Sequence, residues 1–341
     1  MSVFGFDDNQ PATPDASMRK VLDATAALGQ KPIETLSPQE ARRQPLPGDG
    51  AKVVMRERGL DPDDDLGVAT RDFTIPGPGG EIEARLYGRR DEEGTKPVVL
   101  YWHGGGWVIA DLDSYDPSPR ALAKATDAIF VSCHYRQGPE DKFPGAHEDA
   151  WAAYKWVLEN AASFGGDPER IAVMGESAGG NLALNVALRA RDEGLRQPAT
   201  QILVYPVAGN DMDNQSYREN ADAKPLSKPL VQWMVGHYLN DMSEAADPRI
   251  NLVAADLAGL SPTTIIAAEI DPLRSEGRLL ADRLEAAGVD TTYKCYEGAA
   301  HEFFGMGLIV KDAAAAQSMA AMALKKHLRI GILGKLADAL G

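Results

Sequence analysis

The stretch I-A-V-M-G-E-S-A-G-G-N-L-A-L-N, residues 171–185, decides the reading of this chain. Four apolar residues, from Ile171 to Met174, end abruptly in Gly175-Glu176-Ser177-Ala178-Gly179. Small and helix-forming residues then continue to about Arg189. The pattern is that of a buried strand, a turn too tight for side chains at its two ends, and a helix. A serine at the apex of such a turn has its hydroxyl pushed into the open. The N–H of the next residue, Ala178, then sits at a helix N-terminus, where it can meet an anionic oxygen. G-x-S-x-G alone is a weak signal, since a small-residue turn can equally pack a helix against a sheet. The strand before it and the helix after it favour a nucleophile.

The rest of the composition bounds the answer. A chain of 341 residues with 44% hydrophobic content can bury a large core, as one α/β domain or a domain with a smaller subdomain. The formal net charge of -15 argues against nucleic acid or anionic membrane surfaces as partners. Cys133 and Cys295 lie in strand-like stretches and match no metal or redox spacing, so they read as reduced core thiols, with a disulfide between them left open. The start, M-S-V-F-G-F-D-D, has no basic n-region and no apolar h-region, and no run approaches a membrane span. A soluble cytoplasmic protein without membrane insertion is expected.

Residues 1–50 are polar and proline-punctuated, with helical signals at 14–29 and from Ser37, where Ser-Pro-Gln-Glu forms a capping box. Neither has enough apolar surface to stand alone, so both should lie over another domain. The acidic run at 61–65 lacks the glycine and the glutamate of a calcium loop, Leu66 and Asp72 standing in their places, and reads as a solvated linker. Residues 72–75 and 81–87 form a predicted hairpin. Strands at 97–102, 129–134, 171–174, 201–205, 263–270 and 291–296 then alternate with helices near 117–127, 145–163, 178–193, 274–287 and 311–328. This alternation predicts an eight-stranded, mostly parallel sheet covered by helices on both faces. Residues 208–250 break it with a polar stretch and an amphipathic segment near 227–239, and with residues 1–50 they should form a helical cap. Residues 51–207 and 251–341 are then the two parts of the catalytic domain, ending in an amphipathic extension at 330–341.

His103-Gly104-Gly105-Gly106 follows directly on a predicted strand and is a stronger signal than the serine motif. Consecutive glycines let backbone N–H groups converge on one point, as an oxyanion requires. The rival use, phosphate cradling, lacks its G-K-[ST] or G-x-G-x-x-G. A serine nucleophile needs a base, and of six histidines only His301 lies in a loop just past a strand near the C-terminal edge of the sheet. The remaining five read as structural. Asp271, ending a strand between serine and histidine in the chain, completes the set, although an Asp-Pro pair there also suits a helix N-cap. Glu269 is less able to reach. The order Ser177, Asp271, His301 is that of α/β-hydrolases.

These motifs, with Y-R-Q-G-P-E (135–140), G-G-D-P-E-R-I-A-V (165–173), D-P-R (247–249), D-P-L-R (271–274) and H-E-F (301–303), make the chain resemble the hormone-sensitive-lipase-like branch of α/β-hydrolases, the bacterial family IV esterases. The resemblance covers nearly the whole length. It implies an α/β-hydrolase fold with a helical cap, Ser177 as nucleophile, His301 as base and Asp271 as acid. Gly105, Gly106 and Ala178 would be the oxyanion donors. It implies hydrolysis of short- to medium-chain acyl esters, a small-molecule substrate, no cofactor and no metal. Members often form homodimers, which no residue pattern here proves. Trp107, Trp233 and Met234 are expected at the substrate. Three positions depart from the pattern: Glu176 for aspartate, Gln137-Gly138 for Leu-Ala, and Ser275 for an acidic residue. The same triad would serve an amidase or deacetylase, and the fold a non-catalytic binder of small ligands. With an ordinary histidine, activity should fall at about pH 6 to 7.

Overall fold

The computed structural model describes residues 12–89 and 94–331. The M-S-V-F-G-F-D-D start and the extension from 332 onward lie outside them.

Eight strands form one sheet: β1 (Val68–Gly77), β2 (Gly80–Arg89), β3 (Lys96–Trp102), β4 (Ile129–Cys133), β5 (Gly166–Glu176), β6 (Gln201–Val204), β7 (Thr263–Ile270) and β8 (Thr291–Ala300), in the order β1-β2-β4-β3-β5-β6-β7-β8. The β1–β2 hairpin is antiparallel and pairs antiparallel with β4, and the remaining pairings are parallel. Both strand number and direction match the sequence expectation.

Helices α1 (Ala16–Ala27), α2 (Pro38–Ala41) and α3 (Pro47–Glu57) precede the sheet. Then α4 (Pro117–Thr126), α5 (Gly145–Asn160) and α6 (Ala178–Asp192) alternate with strands. The stretch between β6 and β7 holds α7 (Gln215–Glu219) and α8 (Lys228–Tyr238), and α9 (Arg274–Ala286) and α10 (Lys311–His327) complete the alternation. Period-two alternation along β3 feeds two cores. Val98, Leu100 and Trp102 pack with Val157 of α5, Leu182 of α6 and Leu280 of α9. Val99 and Tyr101 pack on the other face with Leu122 of α4 and Ala316 of α10.

The Ser37 capping box forms, with the Glu40 N–H on Ser37 Oγ at 3.3 Å and the Ser37 N–H on the Glu40 carboxylate at 3.1 Å. Helix α3 was not foreseen, because Gly48 and Gly50 lower its helical signal. Gly50 has a packing reason: a Cβ there would collide with Thr25 and the Val21 carbonyl of α1. In the acidic run, Asp61, Asp64 and Asp65 each accept a hydrogen bond from a backbone N–H two residues on. Cys133 and Cys295 are both free, and burial pushes their thiols up to about 12 and about 11. Among the described residues no helix is long and apolar enough to cross a membrane.

Helix α9 carries one buried carboxyl, Glu276. Its Oε1 accepts the Ala208 N–H at 2.8 Å, while Oε2 is buried without a partner. Burial, aided by the nearby charges of Asp271 and Asp211, raises its pKa from 4.5 to about 8. A raised carboxyl costs stability as pH rises from the ordinary carboxyl range to about 8, because the unfolded chain releases its proton first. The advantage of Glu276→Gln over the wild type in denaturant midpoint should therefore be larger at pH 9 than at pH 5. Equal offsets at the two pH values would contradict this burial.

Candidate active site

The junction of β5 and α6 places Ser177 at φ 57°, ψ -118°, a conformation that costs a residue with a Cβ about 1–3 kcal/mol. Its neighbours permit it. A Cβ on Gly175 would collide with the Gly179 carbonyl, and one on Gly179 with the Trp102 carbonyl at the end of β3. The Ser177 N–H is held by the Val204 carbonyl of β6 at 2.9 Å. The hydroxyl is thereby fixed at the C-terminal edge of the sheet.

His301 follows directly on β8 and is 3% exposed. Its Nε2 lies 3.1 Å from Ser177 Oγ and its Nδ1 2.7 Å from Asp271 Oδ2. A carboxylate only accepts, so Nδ1 carries the proton and Nε2 is left to accept from the serine hydroxyl. Asp271, at the end of β7, is fully buried, and its Oδ1 also accepts the Leu273 N–H at 2.9 Å. The N-cap-like turn and the imidazole partner are thus both real, one for each oxygen. Glu269 is turned away and accepts the Gly298 N–H at 2.7 Å.

Opposite the serine, Gly105 (φ +90°) and Gly106 (φ +59°) both lie in the left-handed region. The Gly105 carbonyl accepts from the Val108 and Ile109 N–H groups at 3.0 Å each, which curls the loop. Among the described residues no hydrogen bond takes the N–H of Gly105 or Gly106. Ala178 is the first residue of α6, a position whose N–H finds no intrahelical carbonyl. Ser177, His301, Gly105 and Gly106 line one cavity of about 20 Å³, room for about one water molecule. A larger hollow of about 720 Å³ does not touch Ser177 but shares Gln30, Ile33, Pro47, Pro225 and Leu230 with it.

Comparison with known proteins decides the family. The profile of the alpha/beta hydrolase fold family matches residues 99–305. The chain is 41% identical over 252 residues to the carboxylesterase NlhH of Mycobacterium tuberculosis, covering 73% of this chain and 79% of that protein. It is 32% identical over 324 residues to an ethyl acetate hydrolase of Pseudomonas putida, covering 92% and 99%. The structure of an esterase from Pyrobaculum calidifontis superimposes with a TM-score of 0.82 at 34% identity, over 92% of this chain and 98% of that one. The chain belongs to the hormone-sensitive-lipase-like branch of the α/β-hydrolases.

This α/β-hydrolase spends its three unusual positions on specific contacts. Glu176 is buried beneath the serine, and the Tyr101 hydroxyl (2.6 Å) and the Tyr205 hydroxyl both donate to it. Gln137 Nε2 donates to the Ile109 and Ala110 carbonyls at 2.8 and 3.0 Å, pinning the far end of the glycine loop. A Cβ on Gly138 would press on the α8 backbone at His237 and Tyr238. The Ser275 hydroxyl accepts the Ser216 N–H at 3.1 Å and so ties α7 to the start of α9.

Of the residues expected at the substrate, only Met234 lines the cavity, against Gly106. Trp233, one step round the same helix, faces elsewhere and donates from Nε1 to the Leu36 carbonyl at 3.2 Å. Trp107 is buried and stacks on Tyr238 with ring centroids 4.8 Å apart. Sequence reasoning missed the hydrophobic lining by Ile33, Leu46 and Leu230, which only the fold assembles, and it gave Glu302 no role.

The other histidines are held structurally where their contacts are described. His103 contacts the Gly104 carbonyl (Nδ1, 2.8 Å) and His134 (Nε2, 2.9 Å), and burial pushes it down to about 3. His147 joins Tyr238 and Asn181.

For His301, burial works against the charged ring. The carboxylates of Asp271, Glu302 and Glu176 outweigh burial, so the imidazole titrates above 6.5. A group that must be neutral to accept the serine proton then fails as pH falls through that raised value. The acid limb of kcat/KM should therefore have its midpoint above pH 6.5, higher than an ordinary histidine gives. A midpoint below 6 in a kcat/KM profile would contradict this environment.

Proposed function

We propose that the chain is a serine carboxylesterase acting on short- to medium-chain acyl esters through an acyl-enzyme. The observation that carries the reading is the hydrogen-bonded line Asp271–His301–Ser177, at 2.7 and 3.1 Å, facing two left-handed glycines across one small cavity. The names of its relatives point the same way, since carboxylesterase and ethyl acetate hydrolase both denote carboxylic ester cleavage.

In the proposed reaction His301 Nε2 takes the hydroxyl proton as Ser177 Oγ attacks the ester carbonyl. The N–H groups of Gly105, Gly106 and Ala178 meet the oxyanion, and each such donor contributes about 10²- to 10³-fold in kcat. His301, now protonated and steadied by Asp271, hands the proton to the leaving alcohol. Water enters by the same route and frees the acid.

The cap of this reading consists of residues 1–50 and 208–250 over a catalytic domain of residues 51–207 and 251–341. Arg42 supports that assignment. From the N-terminal part it donates to the Val108 and Gly138 carbonyls at 2.8 Å each and pairs with Glu140, so the cap grips the glycine loop. A small cavity closed by Met234, Leu226 and Leu230 favours short acyl chains. A homodimer is part of the proposal on the family resemblance alone, and a cytoplasmic location is carried over from the sequence analysis.

A series of p-nitrophenyl esters from acetate to palmitate tests the function. Turnover should peak at short chains, and a folded Ser177→Ala variant should lose on the order of 10⁶-fold in kcat. Turnover surviving in that variant would move the nucleophile elsewhere, and a folded wild type active only on amides would replace the esterase reading.

A further inference from the structure

The cavity over Ser177 is mostly apolar, Gln30 and Glu302 being the polar side chains of its lining besides Ser177 and His301. Of its lining residues, Ile33, Leu46, Ile109, Leu226, Leu230 and Met234 carry apolar side chains, and Glu302 holds the only carboxylate among them. Two features fix that carboxylate. Glu302 sits in the left-handed region at φ 65°, directly after His301. The Tyr115 hydroxyl donates to its Oε1 at 3.3 Å, and the same hydroxyl lies where a Cβ on Gly104 would be, so the tyrosine spans the glycine loop and the histidine loop. Its Oε2 accepts no hydrogen bond among the described residues and is not among the buried atoms left without a partner, so this oxygen of a half-buried side chain keeps some accessibility.

The other carboxylates nearby differ. Glu176 is capped by two tyrosine hydroxyls and Asp271 by the imidazole and the Leu273 N–H, and neither lines the cavity. The outer hollow offers no charge preference of its own, since it is lined by four basic and four acidic side chains. Discrimination by charge therefore falls to the inner cavity, where hydrocarbon walls weaken screening.

The side of the substrate follows from the chemistry. The leaving alcohol receives its proton from His301 Nε2, so it lies on the histidine's side of the scissile bond. Glu302 is the next residue in the chain and faces the same cavity. We infer that Glu302 is a specificity-determining residue for the alcohol moiety, favouring esters of cationic alcohols over neutral ones of the same shape and rejecting anionic ones. This rests on the assignment of Ser177 and His301 as nucleophile and base.

The test compares butyrylcholine with its uncharged isostere, 3,3-dimethylbutyl butyrate, each measured as a substrate and as a competitor of p-nitrophenyl butyrate. The wild type should favour the cationic ester, and Glu302→Gln should lower that preference by about tenfold or more. Glu302→Asp, which keeps the charge, should retain most of it. Equal treatment of the two esters by the wild type overturns the inference. So does an unchanged ratio in Glu302→Gln, or a uniform loss on both esters, which would make Glu302 a positioning residue. A wild type that cleaves none of the three esters, p-nitrophenyl butyrate included, instead fails the esterase reading itself.

Discussion

Everything at this site depends on the close approach of α6 to the ends of β3 and β5. The Gly179 Cα lies so near the Trp102 carbonyl that no side chain fits between them, and Gly175 is closed in the same way by Gly179 itself. That approach forces Ser177 into a strained backbone conformation. The strain is held by the neighbouring parallel strands, whose pairing with β5 is buried on both faces. The turn so formed sets the Ser177 hydroxyl 3.1 Å from His301 Nε2 and puts Ala178 at the first position of α6.

Around this turn, buried polar groups are satisfied in pairs, and the pairs connect the catalytic elements. Tyr101 of β3 and Tyr205 beyond β6 both donate to Glu176, binding the strand ends under the serine. Tyr135 donates to the His103 and Gly104 carbonyls at 3.0 and 2.8 Å, and Gln137 holds the other end of that loop. His147, Asn181 and Tyr238 link α5, α6 and α8 in one chain of contacts. The buried polar groups among these would each cost about 1–3 kcal/mol if left alone, so the networks fix geometry as well as stability. The indole N–H groups of Trp102 and Trp107 and Glu276 Oε2 depart from this rule, each buried without a partner, and burial keeps Glu276 protonated to nearly pH 8.

The sheet was legible because apolar runs such as V-V-L-Y-W and I-A-V-M alternate with helical runs and the glycines stand at the turns. The positions of Ser177, Asp271 and His301 were legible for the same reason: strand ends are easy to read, and these residues lie at strand ends. Packing between distant elements was not legible. Gly50 makes α3 look unlike a helix, while its purpose is contact with Thr25, a residue far off in sequence. Trp233 looked like a pocket residue because it is large, yet helical geometry turns it to Leu36 and leaves Met234 at the cavity. Glu302 stood in a quoted motif, but a carboxylate acquires meaning only when the fold surrounds it with hydrocarbon. The upward shift of His301 comes first from Asp271 and then from Glu302 and Glu176; Glu302 is its neighbour in the chain, but only the fold brings Asp271 and Glu176 near it.

The central claim is that Ser177 is the activated nucleophile, and covalent trapping tests it most directly. The purified protein would be treated with a p-nitrophenyl alkylphosphonate and then examined by intact mass and peptide mapping. The account predicts one phosphonyl group per chain, on the peptide containing Ser177, forming as ester hydrolysis is lost. A label on another residue, or hydrolysis that continues in fully labelled protein, would contradict it.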